Sequence, residues 1–177
     1  KYTTPCTAID EKGQGSPFAN YMYGVILGEV EVDTNTGKVK VIKMTVAADI
    51  GKIGNKTVVD GQFLGGFAQG IGLALTEDFD DYDKHTTLAA CGIPYIKDIP
   101  DNLEVIYQET PRELSAFGSS GLGEMTLTAP HCAIANAIYN ACGVRLTSLP
   151  ALPEKILAAL KGNPLPGRKR PIKDPNF

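Results

Sequence analysis

The sequence predicts an α+β fold, in which an antiparallel hairpin and further strand(s) pack with a glycine-rich buried helix and C-terminal helices. Three observations predict it. Two stretches of alternating apolar and polar residues flank a turn at residues 33–37. Apolar residues recur about every four positions within residues 55–78. A second helical pattern, bounded by a proline and a glycine, covers residues 129–143.

The predicted hairpin starts in "YMYGVILGEVEVD", where Val30 and Val32 alternate with Glu29, Glu31 and Asp33. A period of two is that of a half-buried strand. "DTNTG" follows as the turn, because Asp and Asn side chains bond their own backbone and glycine accepts a positive φ. "KVKVIKMTVAAD" resumes the alternation. We therefore expect it to pair with the first strand.

A glycine-rich helix is predicted over residues 55–78, with Asn55 as its N-cap. Its apolar positions are Val58, Phe63, Phe67, Ile71 and Leu75. Its glycines are Gly61, Gly65, Gly66, Gly70 and Gly72, each costing about 1 kcal/mol relative to alanine. Such a helix is expected to be buried, with a bare face that another backbone or a ligand approaches. Two interpretations stay open, namely a packing seam of Gly61, Gly65 and Gly66, or such packing together with ligand contact.

The second half of the chain predicts one strand and two helices. Residues 79–101 are expected to form a loop interrupted by prolines. "NLEVIYQET" predicts a strand with Leu103, Val105 and Tyr107 on one side. "APHCAIANAIYNACG" predicts a helix with Pro130 in its first turn and Gly143 as its C-terminal cap. "PALPEKILAAL" predicts a short last helix, and residues 162–177 form a basic, proline-rich tail.

Composition narrows the classes of function. The chain has 17 Lys and Arg against 20 Asp and Glu, a net charge of −3, which disfavours broad binding to nucleic acid. No apolar run is long enough for a transmembrane helix, and no signal peptide is visible. The cysteines lie far apart and form no CxxC pair: Cys6, Cys91, Cys132 and Cys142. We expect free buried thiols in a reducing, cytoplasmic compartment and no zinc or iron–sulfur site within this chain.

The most informative stretch is "AFGSSGLGEMTLTAP", residues 116–130, where a loop of small residues ends on the single carboxylate of Glu124. Glycines remove the Cβ atoms that would keep a cofactor away from the backbone. A carboxyl group held among small and apolar neighbours is hard to ionise, which suits a general base. The competing interpretation is an ordinary acidic residue near a helix N-terminus. Local spacing by itself favours this structural interpretation.

Gln62 and Gln69 lie seven residues apart, so on a helix they share one face. Their amides offer donors and acceptors suited to a heteroaromatic ring system. The alternative is a pair of ordinary surface residues, although their glycine and apolar neighbours weaken it. The two histidines, His85 and His131, are isolated in the sequence and favour no catalytic assignment.

The order of these segments resembles the C-terminal part of the molybdenum-binding large subunit of the xanthine oxidase family, especially its bacterial aldehyde oxidoreductases. "GQGSPFANYMYGVILGEVEVDTNTG" is followed by "ADIGKIGNKTVVDGQFLGGFAQG", "GIPYIKDIPD", "FGSSGLGE" and "PHCAIANAIYNACG". The resemblance covers residues 1–161, which would be the C-terminal segment of a molybdopterin-binding domain. Only the tail of residues 162–177 falls outside it.

The resemblance implies roles for individual residues. In that family the glutamate ending the GxGE loop is the catalytic base, a position that Glu124 holds here. Backbone groups before that glutamate contact the pterin cofactor, and these correspond to Ser120, Gly121, Leu122 and Gly123. Gln62 matches a family contact to the pterin, whereas Gln69 matches a recurring glutamine whose contact is less defined. No residue of this chain is expected to bind the metal directly.

The resemblance also implies a reaction, a cofactor and partners. The family oxidises aldehydes or heteroaromatics with water as the oxygen source and a molybdenum–pterin cofactor, in bacteria commonly the cytosine dinucleotide form. Its 2Fe–2S clusters lie in other parts of the enzyme. The expected partners are an upstream molybdenum-domain polypeptide, an iron–sulfur portion and further copies in an oligomer, so that the isolated chain would be inactive. A non-catalytic small subunit, serving assembly or cofactor binding, is the alternative function.

Overall fold

The computed structural model describes residues 5–163. Regular elements follow one another as β1 (Tyr23–Val32), β2 (Val39–Asp49), α1 (Lys56–Leu75), β3 (Leu103–Gln108), α2 (Pro130–Cys142) and α3 (Pro153–Leu160). A short 3-10 turn, Met125–Leu127, lies between β3 and α2. The α+β class is confirmed. The predicted tail lies outside the described residues from position 164 onwards.

The sheet has three strands in the order β1-β2-β3 and is mixed. β1 and β2 form the predicted antiparallel hairpin, whereas β3 lies parallel to β2. In the turn, the Asp33 carboxylate accepts a hydrogen bond from the N–H of Asn35 at 2.8 Å, and Gly37 has a φ of 74°. The sequence predicted both features, a backbone hydrogen bond to Asp33 and a positive φ at the glycine.

The helices cover one face of the sheet. α2 packs on β1, while α1 packs on α2 and reaches β2 and β3. Alternation along the strands directs the side chains of Met44 and Val46 into this layer. The fully buried residues from the sheet and these two helices are Met44, Val46, Phe63, Phe67, Ile134 and Ile138. Burying each of the large apolar side chains is worth roughly 1.5–3 kcal/mol.

α1 begins as the sequence predicts, because the Asn55 side chain accepts a hydrogen bond from the N–H of Val58 at 3.2 Å. Phe63, Phe67 and Ile71 are buried on its core side. Val58 was expected in the same apolar stripe, but its side chain is exposed. The reason is geometric, since an advance of 100° per residue turns position 58 away from the side on which positions 63, 67 and 71 lie.

The bounds of α2 agree with the sequence, whereas α3 begins at Pro153, three residues into the predicted stretch of residues 150–160. Pro130 is the first residue of α2, and Gly143 ends it in the left-handed region with a φ of 75°. Leu103, Val105 and Tyr107 face the core from β3, as their alternation predicts. The segment of residues 79–101 contains one short 3-10 turn, Ile96–Asp98.

The opposite face of the sheet carries apolar side chains that no described residue covers. Tyr23, Val25, Leu27 and Ile106 are between 51% and 64% exposed. Val25 is paired with Ala47, and Ala47 with Ile106, so this outer sheet face is continuous across all three strands. Exposed apolar patches of this kind mark interaction surfaces.

The cysteines depart from expectation in one respect. All four are free, but Cys6 and Cys132 are exposed, whereas Cys91 and Cys142 are half-buried. Burial was therefore wrongly predicted for the first two. Among the described residues, no helix has the length and apolar character needed to span a membrane.

Candidate functional site

Three of the five glycines of α1 are closely packed, Gly66, Gly70 and Gly72, the last of them against Glu77 and Pro94. A Cβ at Gly66 would overlap the side chain of Thr126 and lie 2.7 Å from its carbonyl carbon. A Cβ at Gly70 would overlap Pro130, with the ring Cγ 2.9 Å away. Gly61 and Gly65, in contrast, have no neighbouring atom within 4 Å of a Cβ position. The packing seam is therefore Gly66–Gly70, and its predicted assignment to Gly61 and Gly65 is wrong.

This seam fixes the segment that directly follows Glu124. Thr126 is buried against Gly66, and its hydroxyl donates to the carbonyl of Gly123 at 3.2 Å. The methyl group of Met125 lies against Gly24 of β1 at a distance that leaves no room for a Cβ. The two glycines thus allow a 3-10 turn to lie between α1 and β1.

The other end of the loop is attached to the end of β2. Ser120 donates to the carbonyl of Ile50 both from its N–H, at 2.9 Å, and from its hydroxyl, at 2.7 Å. The hydroxyl of Ser119 donates to the carbonyl of Lys52 at 2.6 Å. The loop is therefore held by hydrogen bonds up to residue 120 and by packing from residue 125.

Residues 121–124 bridge these two anchors with their backbone donors unused. Within residues 5–163, the N–H groups of Gly121, Leu122, Gly123 and Glu124 donate to no protein acceptor. Gly121 and Gly123 also have no atom within 4 Å of a Cβ position. Unpaired backbone donors have to be satisfied by solvent or by a ligand. Successive N–H groups in such a loop suit an anionic or polar acceptor.

Glu124 ends this open loop. Its backbone is fixed, because its carbonyl accepts hydrogen bonds from the Thr128 hydroxyl at 2.9 Å and from the Leu127 N–H at 3.3 Å. Its side chain is exposed and has no hydrogen-bonding partner among the described residues. The apolar enclosure expected from the sequence is thus not supplied by residues 5–163.

Gln62 and Gln69 lie on α1 and are both exposed. Together with Gly65 they follow the spacing of three to four residues that places side chains on one helix face. This face, defined by Gln62, Gly65 and Gln69, adjoins the Gly66–Gly70 seam on which the segment after Glu124 lies. The two predicted glutamines therefore lie on the helix face next to the seam that contacts Thr126 and Pro130.

Asp49 and Arg112 form an ion pair that the sequence did not reveal, since 63 residues separate them. The Arg112 guanidinium donates to the Asp49 carboxylate at 3.0 Å, and the two side chains are only 11% and 16% exposed. Hydrogen bonds from the Thr110 side chain and the Gly51 N–H, with the charge of Arg112, lower the pKa of Asp49 to about 2. The carboxylate is therefore ionised at neutral pH.

A second missed cluster anchors the first turns of α1 to β3. The Tyr107 hydroxyl donates to the Asp60 carboxylate at 2.5 Å, and Lys56 pairs with the same carboxylate at 2.7 Å. Burial raises the pKa of the Tyr107 hydroxyl, and the negative charge of Asp60 raises it further. This cluster fixes the part of α1 that carries Gln62.

The described part of the chain contains no group of three or more His, Cys, Asp or Glu side chains that could hold a metal ion.

An open glycine loop with unused backbone donors is suited to bind a polar ligand or solvent. The family model of the molybdopterin cofactor-binding domain matches residues 1–100. The chain belongs to this family. Gln62 and Gln69 lie within the matched residues.

Individual relatives match a longer part of the chain. The aldehyde oxidoreductase of Megalodesulfovibrio gigas is 54% identical over 158 residues, which are 89% of this chain and 17% of that protein. The nicotine 6-hydroxylase large subunit of Paenarthrobacter nicotinovorans is 39% identical over 140 residues, 75% of this chain and 17% of that protein. The crystal structure of the aldehyde oxidoreductase from Desulfovibrio desulfuricans matches with a TM-score of 0.88 and 61% identity, over 89% of this chain and 17% of that one.

The resemblance to the molybdenum-binding subunit inferred from the order of the segments is confirmed. The chain spans about one sixth of the length of these relatives, 17% in each case.

Proposed function

We propose that this chain is part of a molybdenum hydroxylase that oxidises aldehydes or heteroaromatics with water as the oxygen source. In this proposal the chain contributes the catalytic base, Glu124, and part of the molybdopterin site. The observation that carries the proposal is the loop of residues 121–124, whose N–H groups are unused within residues 5–163 and whose last residue presents a free carboxylate. The relatives named for aldehyde and nicotine oxidation support this choice of reaction.

The residues present fit a pterin cofactor. The open space at Gly65, Gly121 and Gly123 would admit a planar ring system close to the backbone. Backbone donors of residues 121–123 and the amide of Gln62 would hold the polar edge of the pterin. Gln69 lies on the same face of α1, seven residues further along the helix. The hydroxyl proton of Ser120 is already donated to Ile50, so Ser120 would offer only acceptor sites. We propose the cytosine dinucleotide form, and 2Fe–2S clusters in other parts of the enzyme.

When bound, the molybdenum centre supplies the two-electron oxidation of the substrate. Glu124 takes up the proton of the water-derived oxygen nucleophile as that oxygen attacks the electron-poor carbon. Positioned general bases contribute about 10²–10⁴ in rate. A fixed backbone at Glu124 serves this role, because proton transfer needs the carboxylate within hydrogen-bonding reach of the reacting group.

The proposed partner is the remaining polypeptide of the same large subunit, which accounts for the other five sixths of the relatives' length. Two uncovered surfaces support it. One is the outer sheet face defined by Tyr23, Val25, Leu27 and Ile106. The other is the Gln62–Gly65–Gln69 face of α1, flanked by the exposed side chains of Val58 and Leu73. An iron–sulfur portion and an oligomeric, cytoplasmic enzyme complete the proposal.

Gln62→Ala in the complete enzyme tests the cofactor role. We expect the variant to lose molybdenum and pterin on dialysis faster than the unmodified enzyme, because an amide that donates to and accepts from the ring edge is removed. The measurement is metal and pterin content per active site against dialysis time. Gln108→Ala, at an exposed glutamine of β3, is the matched control and should retain the cofactor normally. Equal retention in Gln62→Ala would make Gln62 a surface residue without cofactor contact.

A further inference from the structure

A nearly buried arginine, Arg112, contributes to the attachment of the Glu124 loop to the end of β2. The Arg112 guanidinium donates to three oxygens: the Asp49 carboxylate at 3.0 Å, the Asp49 carbonyl at 2.9 Å and the Thr110 carbonyl at 3.0 Å. Its Cζ atom also lies 5.6 Å from the ring centre of Tyr23. One side chain therefore joins β1, the end of β2 and the start of the loop.

The backbone next to Arg112 continues this attachment toward the base. The carbonyl of Gly118 accepts hydrogen bonds from the N–H of Arg112 at 3.0 Å and from the N–H of Lys52 at 2.9 Å. Gly51, with a φ of 74°, approaches this carbonyl too closely for any Cβ. The next attachments are those of Ser119 and Ser120, after which residues 121–124 have unused donors within the described chain. Arg112 and the Gly118 carbonyl thus hold the start of the loop on the end of β2, and residues 121–123 connect this attachment to Glu124.

We propose that Arg112, held by Asp49, is a positioning residue for the catalytic base. It keeps the loop on the end of β2, so that the backbone of residues 121–123 and the carboxylate of Glu124 are presented together. The inference rests on the proposed function of Glu124 as the base. It adds a residue that does not touch the reacting atoms and acts only through the loop.

The geometry requires a guanidinium rather than a positive charge alone. A planar fork reaches oxygens on two different residues at once, whereas a lysine ammonium is a point charge on a flexible stem. The Nε–H of Arg112 is buried and has no acceptor within the described residues. The guanidinium is therefore oriented by its three acceptor oxygens on Asp49 and Thr110, although its hydrogen bonding is incomplete.

The test uses Arg112→Lys and Arg112→Ala in the complete, cofactor-loaded enzyme, with kcat, KM and molybdenum content measured for each. We expect kcat to fall about 10- to 100-fold, since misplacement by about 1 Å has effects of this size. KM and molybdenum content should stay within twofold of the unmodified enzyme. Arg145→Ala is the matched control, because Arg145 is exposed and donates to the side chain of Asn136 in the middle of α2.

A double-variant cycle separates positioning from general destabilisation. In a Glu124→Gln background, Arg112→Lys should lower the residual rate less than twofold, because the group that it positions is already removed. The inference would be overturned if the losses of kcat from Arg112→Lys and Glu124→Gln multiply in the double variant. It would also be overturned if kcat is unchanged in both Arg112→Lys and Arg112→Ala, or if kcat falls only in proportion to molybdenum content. Full turnover in Glu124→Gln itself would instead reject the proposed base, so the two failures are distinguishable.

Discussion

Glu124→Gln in the complete enzyme is expected to lower turnover by about 10²–10⁴-fold, the contribution of a positioned general base. The substitution keeps the size of the side chain and removes its ability to accept a proton. Molybdenum and pterin content should stay near normal, because the proposed cofactor contacts come from Gln62 and from backbone groups before residue 124. Steady-state rates normalised to molybdenum content provide the measurement.

Glu113→Gln is the matched control for this experiment. Glu113 is an exposed carboxylate on the same loop and has no hydrogen bond or ion pair within the described residues. The control should retain full turnover. Near-normal turnover in Glu124→Gln would reject the assignment of the base, whatever the control shows. If molybdenum content and turnover fall in parallel, Glu124 has a structural role in the site and is not the catalytic base.

Gly66→Ala is expected to disturb both stability and turnover. Its Cβ would overlap Thr126 and come within 2.7 Å of a backbone carbon, so the segment after Glu124 has to move. Overpacking of this kind costs about 1–3 kcal/mol. The gain of roughly 1 kcal/mol in helix propensity offsets part of it. A shift of about 1 Å at the base would lower kcat by up to about 10²-fold.

Gly61→Ala, on the same helix, separates packing from propensity. No atom lies within 4 Å of a Cβ at this position, so the substitution should leave the stability of the complete enzyme unchanged or increase it by about 1 kcal/mol. Chemical unfolding midpoints and kcat are measured for both variants. If Gly66→Ala unfolds and turns over like the unmodified enzyme, the seam with Thr126 does not set the position of Glu124.

Local signals predicted most of the regular structure. Alternation gave the strands, the Asp33 turn connected the first two, and Asn55, Pro130 and Gly143 marked helix ends. These signals act between residues close in sequence, where the physical cause is contained in a few positions. The parallel pairing of β3 with β2 joins segments almost 60 residues apart along the chain and has no comparable local signal.

The candidate site was predictable to a smaller extent. The residue types around Glu124 and Gln62 suggested a ligand, but local spacing alone favoured a structural role for Glu124. Which glycines pack and which stay open depends on where Thr126 and Pro130 lie, and that is set by tertiary structure. The ion pair of Asp49 and Arg112 left no pattern for the same reason. The exposure of Glu124 differed from expectation because the loop before it is open, with no described atom within 4 Å of a Cβ position at Gly121 or Gly123.

The central claim is that the backbone of residues 121–124 faces the cofactor. Amide hydrogen exchange of these residues, compared between cofactor-loaded and cofactor-free forms of the complete enzyme, tests it directly. Their N–H groups have no acceptor in the described chain, so we expect fast exchange without cofactor and clear slowing with it. The amides of Ser119 and Ser120, which already donate to the carbonyls of Ala116 and Ile50, should change little. Equal exchange at residues 121–124 in both forms, with slowing elsewhere in the enzyme, would contradict the claim.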